Sequence, residues 1–214
     1  MVNDRKGLLI VFEGTDGTGK STQLQLLKKY LSAGRLSVTT TCEPTHGPFG
    51  IKIRELYHNR HKCSPEEELE LFMADRRQHV SELINPALQR GEIILCDRYF
   101  LSTAAYQGAA GFDPETILKR NDFAPEPDLA LLFHTPLAVG SKRIVSGRGD
   151  TLNDFEQLDF LKKVAIIFST INRPYIRRID GTGAIKTVQD RVLKHVLPLI
   201  SHFHNQKRVM PNEI

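Results

Sequence analysis

Eight residues constrain this chain more than any others. Gly14-Thr15-Asp16-Gly17-Thr18-Gly19-Lys20-Ser21 fits G-x-x-x-x-G-K-[ST] in full, and it separates two segments of different periodicity. Ahead of it, Leu8, Leu9, Ile10, Val11 and Phe12 form an unbroken apolar run, the pattern of a strand covered on both faces by helices. Behind it, Leu24, Leu27 and Leu31, with Tyr30 alongside, recur at helical spacing, so residues 21–31 predict a helix closed by Gly34. Strand, glycine-rich turn and helix in that order let backbone N–H groups curl around a phosphate while the positive end of the helix faces it. Lys20 is then placed to reach the β and γ phosphates of a nucleoside triphosphate, and the Ser21 hydroxyl to ligate Mg2+. The alternative, a chance glycine-rich turn with a solvated lysine, does not account for the two flanks.

The rest of the chain repeats the strand and helix alternation. Further strands are predicted at residues 37–42, 93–96, 128–133 and 175–179, and the third ends at Asp97, where a strand-end carboxylate can complete a metal site with Ser21. A long helix is predicted from Pro65 to about Gln89. Ser64 caps it, Pro65 fits its first turn, three glutamates favour its positive end, and Pro86 is expected to disturb it late. The polar stretch from 142 to 154, rich in Arg and Gly, reads as a mobile loop. Alternation of this kind implies an α/β fold with a five-stranded parallel sheet between helical layers and ligands at the carboxyl ends of the strands. With 214 residues and 40% hydrophobic content, one domain is expected over the whole chain, with a lid loop at about 142–154.

Composition narrows the setting. A formal charge of +4 is spread along the chain rather than gathered in a tail, which suits small anionic substrates and gives no sign of a nucleic-acid partner. Cys42, Cys63 and Cys96 form an odd set without CxxC or zinc spacing, so a reduced, cytoplasmic setting is expected. The apolar run at residues 8–12 is too short for a membrane span or secretory leader, and no membrane partner is expected.

The glycine-rich loop is shared by GTPases, motors and transporters, so other landmarks must identify the reaction. No Asn/Thr-Lys-x-Asp guanine signature is present, which favours a small kinase. From Phe12 to about Thr182 the sequence resembles the thymidylate kinase family. The segment from Phe12-Glu13-Gly14 to Ser21-Thr22 is similar to the family's phosphate loop, including the acidic Asp16. Glu43-Pro44-Thr45, followed by Gly50 and Arg54, is similar to its segment after the second strand. Leu71-Phe72-Met73-Ala74-Asp75-Arg76-Arg77-Gln78-His79 resembles its nucleobase-binding helix, and Asp97-Arg98-Tyr99-Phe100-Leu101-Ser102-Thr103-Ala104-Ala105-Tyr106-Gln107-Gly108 its acceptor-site motif.

The resemblance implies a P-loop NTPase three-layer sandwich and transfer of phosphate from ATP, with Mg2+, to dTMP, in a homodimer. ATP would be held by Gly14, Thr15, Asp16, Gly17, Thr18, Gly19, Lys20, Ser21 and Thr22, and the metal by Ser21 and Asp97. Phe72 would stack on the pyrimidine, Arg76 donate to it, Arg98 grip the acceptor phosphate and Tyr106 lie against the sugar. Asp16, Glu43, Arg54, Ser102, Thr103 and Gln107 complete the implied acceptor site, and Glu13 would steady the loop through backbone N–H groups. Each also has a bland role: Arg98 as a salt-bridge partner of Asp97 or Asp16, Tyr106 as core, the hydroxyls and amide as helix caps. Thr18 stands where some relatives carry an arginine, so Arg143 and Arg148 of the lid are expected to join Lys20, Arg98 and Asp16 in catalysis. Ile179-Asp180-Gly181-Thr182 resembles the segment beside the adenine. Two stretches depart from the family: Phe133-His134-Thr135-Pro136 at the end of strand four, and Asp150-Thr151-Leu152-Asn153-Asp154 in the lid. A kinase of another nucleoside monophosphate, or a catalytically weakened nucleotide-binding relative, are the alternatives.

Overall fold

A computed structural model describes residues 6–59, 62–148 and 157–209. Five strands, β1 (Leu8–Glu13), β2 (Val38–Cys42), β3 (Ile93–Asp97), β4 (Leu129–His134) and β5 (Ile176–Asp180), form one all-parallel sheet in the order β2-β3-β1-β4-β5. The side chains of β1 alternate between two buried layers, which is why the run shows no polar face. Leu9 and Val11 join one core with Ile94, Cys96, Ala130 and Leu132, while Leu8, Ile10 and Phe12 join the other with Ile93, Leu95, Leu129 and Leu131.

The second of these cores is closed by α1 (Lys20–Ala33), through Leu24, Leu27 and Leu31, and by α9 (Ile185–Val209), through Val188, Val192 and Val196. Tyr30 does not share the buried stripe of α1; it is half-exposed. The first core is closed by α3 (Pro65–His79), α5 (Phe100–Ala109) and α8 (Leu158–Thr170). Shorter helices α2 (Pro48–Glu55), α4 (Asn85–Gln89) and α6 (Pro114–Arg120) connect them. No helix among the described residues is long and apolar enough to cross a membrane.

The expected long helix is present as α3 and α4 joined by a π-helical segment, Val80–Ile84. Its start is fixed as the sequence predicts, with the Ser64 hydroxyl accepting from Glu67 N and the Glu67 carboxylate accepting from Ser64 N at 2.8 Å. The widened turn lies just ahead of Pro86, which has no N–H to donate and whose ring crowds the preceding turn of a regular helix.

One expectation is corrected. The first half of the supposed lid loop is helical: α7 (Leu137–Arg148) runs through Lys142 and Arg143, and Ile144 is buried. Gly140 and Gly147 lower helix propensity and hid this segment. Arg148 falls on its last residue, with a side chain outside the described residues, as do residues 149–156.

Candidate active site

β1 is the central strand, with β3 on one side and β4 on the other, and the register puts Phe12 opposite Asp97 and Glu13 opposite Leu132. The chain leaves β1 where its neighbours diverge, the place where open parallel sheets bind ligands. Gly14 turns there at φ 128°, with so little room that a Cβ would lie 2.2 Å from the Phe133 carbonyl. Gly17, at φ 75°, passes the backbone of α7 equally closely: a Cβ would meet Gly140 O at 2.2 Å. Both positions therefore require glycine. Thr18 closes the loop by donating its hydroxyl to Thr15 O at 2.8 Å.

Lys20 is buried at the start of α1 and its Nζ donates to Thr15 O at 2.8 Å. Burial, with the Arg98 cation nearby, pulls its pKa down to about 8. The carboxylates of Asp16, Asp97 and Glu13 offset that shift in part. Asp16 to Gln23, with Arg143, Ile144, Gly181, Gly183, Ile185 and Val188, line a cavity of about 460 Å³ over this loop. Gly181, from the segment that resembles the one beside the adenine, lines this cavity too. Arg143 donates to Gly17 O at 3.3 Å and to Gly181 O at 3.1 Å, bridging the phosphate loop to the far wall. The sequence does not reveal that role, because both acceptors are backbone atoms.

The Ser21 hydroxyl donates to Asp97 Oδ2, so the two expected metal ligands adjoin. Among the described residues no group of three or more His, Cys, Asp or Glu side chains is placed to hold a metal ion. A hydroxyl and a carboxylate beside a phosphate cavity form a hard oxygen set that fits Mg2+, an ion content with one or two protein oxygens.

Arg98 organises the second half of the site. Its backbone is left-handed, φ 70°. Its guanidinium reaches Asp16 Oδ1 at 2.7 Å, Ser102 Oγ at 3.0 Å, Gly14 O at 3.1 Å and Tyr106 OH at 3.3 Å, and Tyr106 OH donates to Asp16 Oδ2 at 3.1 Å. Burial works against the ionised form of Asp16, but Arg98 and Lys20 outweigh it and hold the carboxyl below its ordinary range. The salt bridge between Arg98 and Asp16 exists, and it joins the two residues expected to handle the acceptor.

Arg76 is almost wholly buried on α3. It donates through Nε to Glu43 at 2.9 Å, through Nη1 to Asn121 Oδ1 at 2.7 Å and through Nη2 to Glu43 and to Thr103 Oγ1 at 2.9 Å. Glu43 also meets His79 Nδ1 at 2.9 Å, and His79 Nε2 meets Thr41 Oγ1 at 2.7 Å. Burial opposes ionisation of Glu43, yet Arg76 and His79 draw its pKa down. Phe72 lies one turn before Arg76 and is partly exposed.

Two expected acceptor residues, and the glutamate expected to steady the loop, are engaged otherwise than the sequence predicts. Gln107 is fully buried and donates to Glu68 Oε1 at 2.8 Å. Arg54 donates to the carbonyls of Pro44 and Thr45, stapling the segment after β2. Glu13 does not bind the N–H groups of the loop; it accepts from Tyr99 N at 3.0 Å and from the Ser102 hydroxyl. The sequence also missed supporting residues. Asp75 holds Thr45 through N and Oγ1 at 2.8 and 2.6 Å, and Tyr57 shares the field of Arg98, Asp16 and Arg54. His79 stands three residues after Arg76, a helical spacing that could have found it; Asp75, next to Arg76, and Asn121 gave no such signal.

A family model described as Thymidylate kinase matches residues 12–192. Among similar proteins, a Thymidylate kinase of Desulfotalea psychrophila is 54% identical over 199 residues, 93% of this chain and 98% of that one. Another from Akkermansia muciniphila is 45% identical over 192 residues, 89% of this chain and 92% of its own length. One from Brachyspira hyodysenteriae is 41% identical over 202 residues, covering 92% of this chain and 98% of its own.

Proposed function

The chain belongs to the thymidylate kinase family, and on that premise we propose that it transfers the γ-phosphate of ATP to dTMP, giving dTDP and ADP. The observation that carries the reading is the hydrogen-bonded group of Arg98, Asp16, Ser102 and Tyr106 beside the phosphate loop. It couples a cation for an acceptor phosphate to the loop that holds the donor.

The donor phosphates lie along residues 14–22, with Lys20 released from Thr15 O to the β and γ oxygens. Arg98 binds the acceptor phosphate and lessens the repulsion between the two anions as they approach. Asp16 and Tyr106 keep the guanidinium from turning away. Phe72 stacks on the thymine face, Arg76 offers its remaining Nη1 proton to the base edge, and Tyr106 bounds the sugar. Glu43, Thr103 and Gln107 act behind them by fixing Arg76 and α5, and Arg54 by fixing the backbone at Pro44 and Thr45. Arg143 stands on the helix that borders the donor cavity and supplies positive charge there; Arg148, whose side chain lies outside the described residues, is read as a second lid cation from the sequence alone. Mg2+, held by Ser21 and Asp97, would neutralise charge on the β and γ phosphates. We also read the protein as a homodimer, which mass in solution tests.

Transfer is tested by incubating the protein with labelled ATP, Mg2+ and dTMP and separating dTDP. Wild type is expected to form dTDP, and Lys20→Ala to fall to near background. Equal slow transfer by both would refute the reading.

A further inference from the structure

We propose that Glu13 is a positioning residue that ties the end of β1 to the first turn of α5 and thereby sets the pose of Arg98. The inference rests on the reading of Arg98 as the group that receives the acceptor phosphate.

Glu13 is 0% exposed at the end of a strand whose other five residues are all apolar. Packing alone calls for another apolar side chain there, since a buried carboxylate is costly unless its oxygens are used. Here both are. Oε1 accepts from Tyr99 N at 3.0 Å and Oε2 accepts from the Ser102 hydroxyl. Tyr99 is the N-cap residue just ahead of α5 and offers no side-chain cap of its own. Glu13 therefore takes up, from another element, a backbone N–H at the positive end of that helix.

The consequence falls on Arg98. The two ends of its peptide context are held by consecutive residues of β1: Arg98 N donates to Phe12 O at 2.9 Å, and the next N–H donates to Glu13. A left-handed arginine persists only where its surroundings over-determine it, and these two bonds bracket it. The side chain is held by the same carboxylate through one intermediary, because Arg98 Nη1 donates to Ser102 Oγ at 3.0 Å while that hydroxyl gives its proton to Glu13. A neutral Glu13 would offer its own proton to Ser102, turn the serine proton elsewhere and compete with Arg98 for the serine oxygen.

Burial pushes the Glu13 pKa up to about 7, against the Ser102 hydrogen bond and the Arg98 charge. The charged or titratable groups that interact with it are Arg98, Arg76 on α3, Lys20 on α1, Cys96 on β3 and Tyr175 ahead of β5. The proposed positioning therefore operates with the ionised form above that pH and weakens below it.

The test compares wild type, Glu13→Gln and Ser102→Ala between pH 6 and 8, using whichever of dTMP, dUMP, UMP, CMP or AMP wild type phosphorylates fastest. Thermal unfolding checks the fold of each. Both variants are expected to lose roughly tenfold or more in kcat, with KM for ATP changed less than about threefold, as for a displaced acceptor-side group. The ratio of wild-type to Glu13→Gln kcat should shrink as pH falls from 8 to 6. The acceptor's own ionisation is common to both proteins and cancels in that ratio. A pH-independent ratio, or a folded Glu13→Gln with wild-type kcat, would overturn the proposal. Should Glu13→Gln fail to fold, a fully active Ser102→Ala would overturn it instead. Preference of wild type for an acceptor other than dTMP would count against the proposed substrate and leave the comparison of variants intact.

Discussion

At Arg98, one side chain joins the phosphate loop through Gly14 and Asp16 to the acceptor helix through Ser102 and Tyr106. On the proposed reading its contact with the acceptor phosphate strengthens as donor and acceptor converge, so Arg98→Ala should lower kcat by about 10²–10³-fold while leaving KM for ATP within about threefold. Steady-state kinetics with dTMP varied at saturating ATP, and the reverse, measures both. Unchanged turnover would remove Arg98 from the acceptor site.

Two buried glutamates give pH effects of opposite sign. For Glu13 the folded pKa, about 7, exceeds the ordinary value of 4.5, so the native state binds its proton more tightly. Stability from that preference is present below 4.5 and is lost as pH rises through 7. Glu13→Gln should accordingly gain on wild type over that interval, by up to roughly 3 kcal/mol. For Glu43 the folded pKa is depressed, so its contribution is present above 4.5 and lost as pH falls through the lowered value. Glu43→Gln strands Arg76 and should cost about 3–5 kcal/mol at neutral pH, with a smaller deficit in acid. Denaturant unfolding of the three proteins from pH 2 to 8 reads both trends, that of Glu43 below pH 4.5 and that of Glu13 above it; parallel curves would contradict both assignments.

Among elements, α7 changes the picture of nucleotide binding most. A mobile loop closing over the donor would bring Arg143 in only when nucleotide is bound. Instead, a helix carries Arg143 to the carbonyls of Gly17 and Gly181, which both line the cavity over the phosphate loop. Arg143→Ala should loosen those walls and raise KM for ATP roughly two- to tenfold, the scale of one or two modest hydrogen bonds. An unchanged KM for ATP would show that the bridge is incidental.

Other elements were legible in the sequence for reasons particular to each. The start of α3 could be read because Ser64, Pro65 and Glu67 act within one turn. The phosphate loop could be read because its glycines answer local demands at Gly14 and Gly17. The partners of Glu13, Gln107 and Arg54 could not. Each bonds to a group distant along the chain or to backbone carbonyls, and neither leaves a pattern in side-chain spacing. α7 was hidden in part by Gly140, the glycine at which it approaches the loop.

Across the whole molecule, the parallel sheet converts these local features into one site. With β1 central, the carboxyl ends of β1 and β3 put Gly14, Asp97 and Arg98 side by side, although more than eighty residues separate them in sequence. The apolar runs made that sheet readable, since strands buried on both faces are apolar throughout. They could not reveal which polar side chains meet above it. Arg76 was foreseen as a base contact, but the Glu43, Thr103 and Asn121 cage around it depends on tertiary placement of four segments. On the proposed reading, the phosphate loop and the cage around Arg76 serve ATP and a deoxypyrimidine monophosphate. ADP release measured with ATP, Mg2+ and, in turn, dTMP, dUMP, UMP, CMP and AMP tests it most directly. The highest kcat/KM is expected with dTMP, with the ribonucleotides well below it; a ribonucleotide or AMP used best would contradict it.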